Sequence, residues 1–334
     1  MYTKITLSIW ILEAMKAKII TAVLSLAVLA GCQTTEQPAA VVDYSKIKLA
    51  YGNVVKEGEV YVPAWKRNEA KINQVLANQH YCADNLVLRF QAMSQQNIED
   101  SCKLLLETEQ RFHTLFNTRG KPLLHDNNDV LRANIYASRE DYVKYVTDHF
   151  DVPSNNGGMY LEGLPHLTDN SAEYVAYLKK GTVWNLNHEF VHYLDGRFNA
   201  YGDYCAPPHD NHYGPEYCPE PAAEPPYLIW WGEGLGEYVA HMNNNPRALA
   251  LAGEKTYQLS ELFYNNSANW NTNRIYRWGY LAVRYMMEKQ RDKVEEMLFH
   301  VRRGDYPRYQ KIVKNWGTSM DADFHAWLDT VATK

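Results

Sequence analysis

In the stretch NHEFVHYLDGRF, residues 187–198, His188 and His192 stand four apart with Glu189 directly after the first. A helix puts residues at that spacing on one face, one turn apart, so the stretch predicts a helix here and constrains what must surround it. Val183, Leu186, Phe190, Val191 and Leu194 give that helix an apolar face that would pack into a core whether or not the histidines have a task. Glu189 then stands among buried apolar positions, where a carboxylate is costly without a partner. Two imidazole nitrogens can converge on one point about 2 Å away, as a zinc ion requires. Glu189 beside that point can take a proton from zinc-bound water as it attacks a carbonyl, then pass it to the departing amine. Alone the motif is weak, because chance H-E-x-x-H occurs in roughly a few per cent of chains of this length.

The decision rests on a third ligand, since a catalytic zinc generally keeps three protein ligands and one open position. The extended H-E-x-x-H-x-x-G-x-x-H pattern fails, because Asp195 and Phe198 occupy those positions. His209 and His212 lie in a Pro-rich loop, and Asp195 would need its own helix to wrap the metal. WWGEGLGEY, residues 230–238, is the best source: Glu233 and Glu237 are four apart on a second expected helix. Glu233 can ligate zinc while Glu237, one turn on, holds the distal nitrogen of a zinc histidine.

Around this pair of helices the patterning changes character. Before it, strands at 85–91, 130–137 and 173–178 alternate with helices at 95–116 and 139–150, and NNGGMYLEG (155–163) sets two glycines before a short apolar run. After it, helical patterns dominate: 229–242, 259–264, 276–289, 292–302, 307–315 and 321–331. The fold class is α+β, a small mixed sheet with helices (45–198, including the zinc helix) followed by a loop and an all-helical subdomain (199–334). The H-E-x-x-H helix falls at their junction, where clefts form.

The N-terminus carries a different signal. MKAKIITAVLSLAVLAGC has lysines, an apolar run from Ile19 to Ala30 too short to span a bilayer comfortably, and small residues before Cys32. It resembles a bacterial lipoprotein signal, which implies a cleaved segment 1–31, with Met15 as a candidate start, and an acylated Cys32. Residues 32–44, polar and Pro-containing, read as a tether. Gln33 rather than Asp favours, by the same resemblance, lipid anchoring in the outer membrane of the cell envelope. Cys82, Cys102, Cys205 and Cys218 then form an even set in a compartment that permits disulfides. Three connectivities exist, and proximity favours Cys82–Cys102 and Cys205–Cys218. A net charge of -5 with dispersed basic residues offers no footprint for nucleic acid.

HEFVHYLDGRFNAYGD followed by WWGEGLGEYVA resembles the catalytic core of the microbial collagenases, which are gluzincin zinc metallopeptidases. NNGGMYLEG, YRWGYLAVRYMMEK and RRGDYPRYQKIVKNWGTSMDADFHAWL extend the likeness over roughly 70–330. The resemblance implies zinc on His188, His192 and Glu233, with Glu189 as general base. It also implies Gly157, Gly158 and Tyr160 on the strand that pairs with substrate. A structural calcium is implied on the Glu162 carboxylate and the carbonyls of Gly196, Ala200 and Gly202. Tyr276 or Tyr280 is the candidate oxyanion donor. The family's activator and accessory domains find no room here, so the expected substrates are unfolded or collagen-derived polypeptides. The alternative from another class is a catalytically idle envelope lipoprotein that binds peptides in the same cleft.

Overall fold

The computed structural model describes residues 62–210 and 224–332. The signal, the tether, Cys32, His212 and Cys218, and with the last the expected Cys205–Cys218 bridge, lie outside the described residues.

Two short helices, α1 (Ala64–Arg67) and α2 (Glu69–Val75), precede strands β1 (Asn78–Ala83) and β2 (Leu86–Phe90). Helix α3 (Gln95–Phe116) follows. Its start is fixed by Ser94, whose hydroxyl accepts the Asn97 N–H at 3.1 Å, and its end by Asn117 in the left-handed region. Ile98, Leu105, Phe112 and Phe116 line its buried face. Strand β3 (Leu131–Tyr136), helix α4 (Arg139–Phe150) capped by Ser138, and strands β4 (Met159–Leu161), β5 (Ala172–Lys179) and β6 (Thr182–Val183) complete this half.

The sheet runs β1-β2-β3-β5-β4, with β6 pairing β5. The middle pairs β2–β3 and β3–β5 are parallel, and both outer strands are antiparallel to their neighbours. The middle strands are covered on both faces and are rich in apolar and aromatic residues, broken by Arg89, Arg132, Asn134 and Glu173. Leu88, Ile135 and Tyr174 face one core, which continues into the later helices. Tyr136, Val175 and Tyr177 face a second, closed by Trp65, Ile72, Tyr142 and Phe150. Glu173, fully buried in β5, is compensated by Arg132 and Asn134 from β3 beside it and by Arg89 from β2 beyond.

Next come α5 (Leu186–Phe198), α6 (Ile229–His241), α7 (Pro246–Ala252) and α8 (Leu259–Leu262). A π-helical turn (Asn273–Trp278) then runs into α9 (Gly279–Lys289), followed by α10 (Arg291–Val301), α11 (Tyr306–Trp316) and α12 (Asp321–Val331). The expected α+β architecture is thus present, with α5 and α6 packed against each other between the sheet and the later helices. β1, β6, α1, α2 and α7 had no counterpart in the sequence reading. The first is the polar, largely exposed run NQHYCA, which shows no alternation. Cys82 on β1 is disulfide-bonded to Cys102 on α3, the pairing that proximity favoured. Among the described residues no helix is long and apolar enough to cross a membrane.

Candidate metal centre

Helix α5 starts from Asn185, whose left-handed backbone (φ 53°) turns the chain out of β6, its carbonyl accepting the Glu189 N–H at 3.1 Å. Leu186, Phe190, Val191 and Leu194 are buried against the sheet side and the larger core. His188 and His192 meet α6. His192 Nε2 lies 3.2 Å from His188 Nε2, His188 Nε2 lies 3.2 Å from Glu233 Oε2, and His192 Nε2 lies 3.7 Å from that oxygen. Ligand atoms about 2.1 Å from a zinc ion at tetrahedral angles stand about 3.4 Å apart. The triangle therefore has the size of three zinc ligands, and two imidazoles and a carboxylate are a zinc donor set. Among the described residues this is the one group of three such side chains that could hold a metal ion.

Glu237 Oε1 accepts from His188 Nδ1 at 3.0 Å, and Asn245 Nδ2 donates to Glu237 Oε2 at 2.9 Å. This leaves Nε2 of His188 directed at the triangle. Burial works against a charge on His188, yet Glu233 and Glu237 on its two nitrogens hold its pKa well above the usual value. Burial likewise opposes the Glu233 charge, but hydrogen bonds from His188 and His192 bring its carboxyl far below the ordinary range. Both directions reflect attraction between His188 and the facing glutamates, an environment that also suits a cation at the triangle.

Glu189 does not join the triangle. Only 8 % exposed, it accepts the Tyr160 N–H at 3.1 Å through Oε2. Burial raises its carboxyl pKa, against the pull of His192 and His188. Tyr160 lies on β4, the outermost strand of the sheet among the described residues, so the acid and that strand's outer edge are adjacent. The two glycines ahead of β4 are required by close approach. A Cβ on Gly157 would stand 2.3 Å from the Trp184 indole nitrogen, and one on Gly158 would stand 2.9 Å from the Val175 carbonyl oxygen.

Of the two tyrosines, Tyr276 sits at the cluster, its ring 5.8 Å from that of His188, and the Glu233 carboxylate together with burial raises its hydroxyl pKa. Tyr280 is engaged elsewhere: its hydroxyl donates to the Met242 carbonyl at 2.7 Å. Asp195 accepts from Asn199 at 2.8 Å and Trp231 at 3.3 Å, and His209 Nδ1 lies against the Pro207 carbonyl, so neither enters the triangle. Glu162 is buried, with its Oε1 2.5 Å from where a Gly196 Cβ would be, and Gly196, Ala200 and Gly202 line one small cavity with Asp126.

Three contributors escaped the sequence reading. A Cβ on Gly236 would stand 2.8 Å from the His188 ring, and one on Gly234 would stand 2.5 Å from the Gly279 carbonyl oxygen. Their signal was available, since glycines at 232, 234 and 236 inside a helical pattern cost stability unless close packing needs them. Asn245, behind Glu237, sits at the N-cap of α7 and carried no such signal.

The chain is 36 % identical over 265 residues to a microbial collagenase of Vibrio alginolyticus, which covers 78 % of this chain and 30 % of that protein. It is 34 % identical over 272 residues to a microbial collagenase of Vibrio vulnificus (strain CMCP6), covering 80 % and 32 % respectively. Collagenase ColA of Bacillus cereus is more distant, 23 % identical over 241 residues, covering 66 % of this chain and 22 % of its own. The chain thus spans about a third of the length of its Vibrio relatives. The Peptidase_M9 family model, Collagenase, matches residues 43–327, a span that holds both α5 and α6 with every member of the triangle, and the chain belongs to that family.

Proposed function

We propose that the chain is a zinc-dependent endopeptidase of collagenase type that hydrolyses peptide bonds in unfolded or collagen-derived polypeptides. The observation that carries this reading is the triangle of His188, His192 and Glu233, with Glu189 of the same helix as the histidines hydrogen-bonded to the edge strand. His188, His192 and Glu233 would hold the zinc, and Glu237 keeps the His188 ring in the ligating orientation. A zinc ion there supplies Lewis acidity, polarising a peptide carbonyl and acidifying a water.

The chain's own residues do the rest. An extended substrate pairs with the outer edge of β4, as a strand added to the sheet, which sets its scissile bond across Glu189. Glu189, whose raised pKa suits it to both accept and return a proton, takes one from the attacking water and delivers it to the leaving amine. Tyr276, whose ring packs against that of His188, donates a hydrogen bond to the oxygen that gains charge. A structural calcium on Glu162 and the carbonyls of Gly196, Ala200 and Gly202 belongs to the same proposal, supported by the last three residues lining one cavity and by the Glu162 carboxylate lying against Gly196.

The test is Glu189→Gln in the purified protein, with zinc content and cleavage of gelatin and casein measured together. The expected result is zinc retained and proteolysis abolished. Retained proteolysis would remove Glu189 from the mechanism, and native protein without zinc would favour the peptide-binding alternative.

A further inference from the structure

We propose that the cleft between the C-terminal end of α3 and α10 is an anion-binding site, separate from the His188 cluster. It takes a carboxylate carried on an apolar residue, as at the C-terminus of a peptide. The cavity has a volume of about 470 Å³, within the range of small-ligand pockets. Phe116, Leu123 and Phe198 give it an apolar wall. Lys121, Arg291 and Arg302 line it against a single carboxylate, Glu295.

That carboxylate is already taken by Arg291, as an ion pair at 2.5 Å. Among the described residues Lys121 Nζ donates only to the Asn117 carbonyl, at 3.2 Å. Arg302 gives Nε and Nη2 to Asn199 Oδ1, at 3.0 and 2.7 Å, and among the described residues neither cation has a carboxylate within ion-pair range. Asn199 is itself fixed by Asp195, so the Arg302 guanidinium is held in place at the wall with Nη1 making no protein hydrogen bond among the described residues. Burial lowers the Arg302 pKa in spite of Glu295 and Asp195, and Arg291 and Arg303 add to the effect. A half-buried guanidinium whose nearest carboxylates, Glu295 and Asp195, lie beyond ion-pair range, beside further cations, gains from an incoming carboxylate at close range. The guanidinium fork suits a planar carboxylate, and the apolar wall suits the side chain next to it.

Calorimetric titration of the purified protein with N-acetylleucine tests this, with the neutral N-acetylleucinamide as control. The acid is expected to bind with a dissociation constant of about 1 mM or tighter, and the amide at least about tenfold more weakly. Arg302→Gln and the solvent-exposed Lys121→Gln should each weaken the acid by about tenfold or more. The second variant keeps the test decisive if the first folds poorly. Equal binding of acid and amide, affinity unchanged in both variants, or no binding at all would overturn the proposal.

Discussion

At the scale of single residues, the acids around His188 have separable tasks. Glu189 touches the edge strand and not the triangle, whereas Glu237 touches Nδ1 of His188, the ring nitrogen that does not face the triangle. Glu237→Ala is therefore expected to lower zinc affinity by about 10–100-fold, read by competition with a chelating dye, while Glu189→Gln leaves it nearly unchanged. Equal losses in both variants would contradict this division. The triangle and Glu237 were legible because residue type and four-residue spacing on a helix determine which groups share a face. The choice between Tyr276 and Tyr280 was not, because it depends on where the π-helical turn ends and α9 begins. A second residue-scale consequence concerns pH. His149 is buried against Tyr136, 2.8 Å from its hydroxyl, and burial lowers its pKa although Asp148 opposes this. Folding thus favours the neutral imidazole. This stability is present above the unfolded-state pKa of about 6.5 and is lost as pH falls below it. Urea midpoints should decline between pH 7.5 and 5.5, and His149→Gln should flatten that decline while lowering stability at pH 7.5. An unchanged slope in the variant would assign the decline to other groups.

At the scale of elements, α6 shows why a helix-poor sequence forms a helix. Its glycines cost roughly 0.5–1 kcal/mol each relative to alanine, yet Gly234 lets α9 approach backbone to backbone and Gly236 leaves room for the His188 ring. Gly234→Ala should destabilise the fold by about 1–3 kcal/mol, since the Gly279 carbonyl it meets is backbone and cannot rotate away. Gly236→Ala should instead displace the His188 ring, with zinc content falling while the circular dichroism spectrum stays native. Zinc content equal to that of the unaltered protein would show that the ring can yield. The long elements were legible from their patterning, α3 to its boundaries, because an amphipathic helix with a serine cap and a both-faces-buried strand each write a period or a run into the sequence. Strand β1 wrote neither. It is held by pairing to β2 and by the Cys82–Cys102 bond to α3, both of them non-local facts. Replacing both cysteines with serine should cost about 2–4 kcal/mol of stability in chemical denaturation.

At the scale of the whole molecule, the division seen in the sequence, strands before α5 and helices after it, does not divide the core. Leu88, Ile135 and Tyr174 from the sheet belong to one buried cluster with Phe190 of α5, Leu235 of α6, Leu281 of α9 and Leu298 of α10. The two helices that carry the triangle are therefore the seam of a shared core. A metal bound there ties α5 to α6 across that seam and binds the folded chain alone. At free zinc about a hundred times its dissociation constant, the folded state gains about 2.7 kcal/mol. Removing zinc with a chelator should then lower the thermal midpoint by several degrees as a single cooperative transition, sheet and helices together. Calorimetry with and without the chelator reads this directly. If the helices after α6 kept their own transition while the sheet melted earlier, the shared core would be cooperative in packing only, and the metal would act as a local ligand instead of a seam.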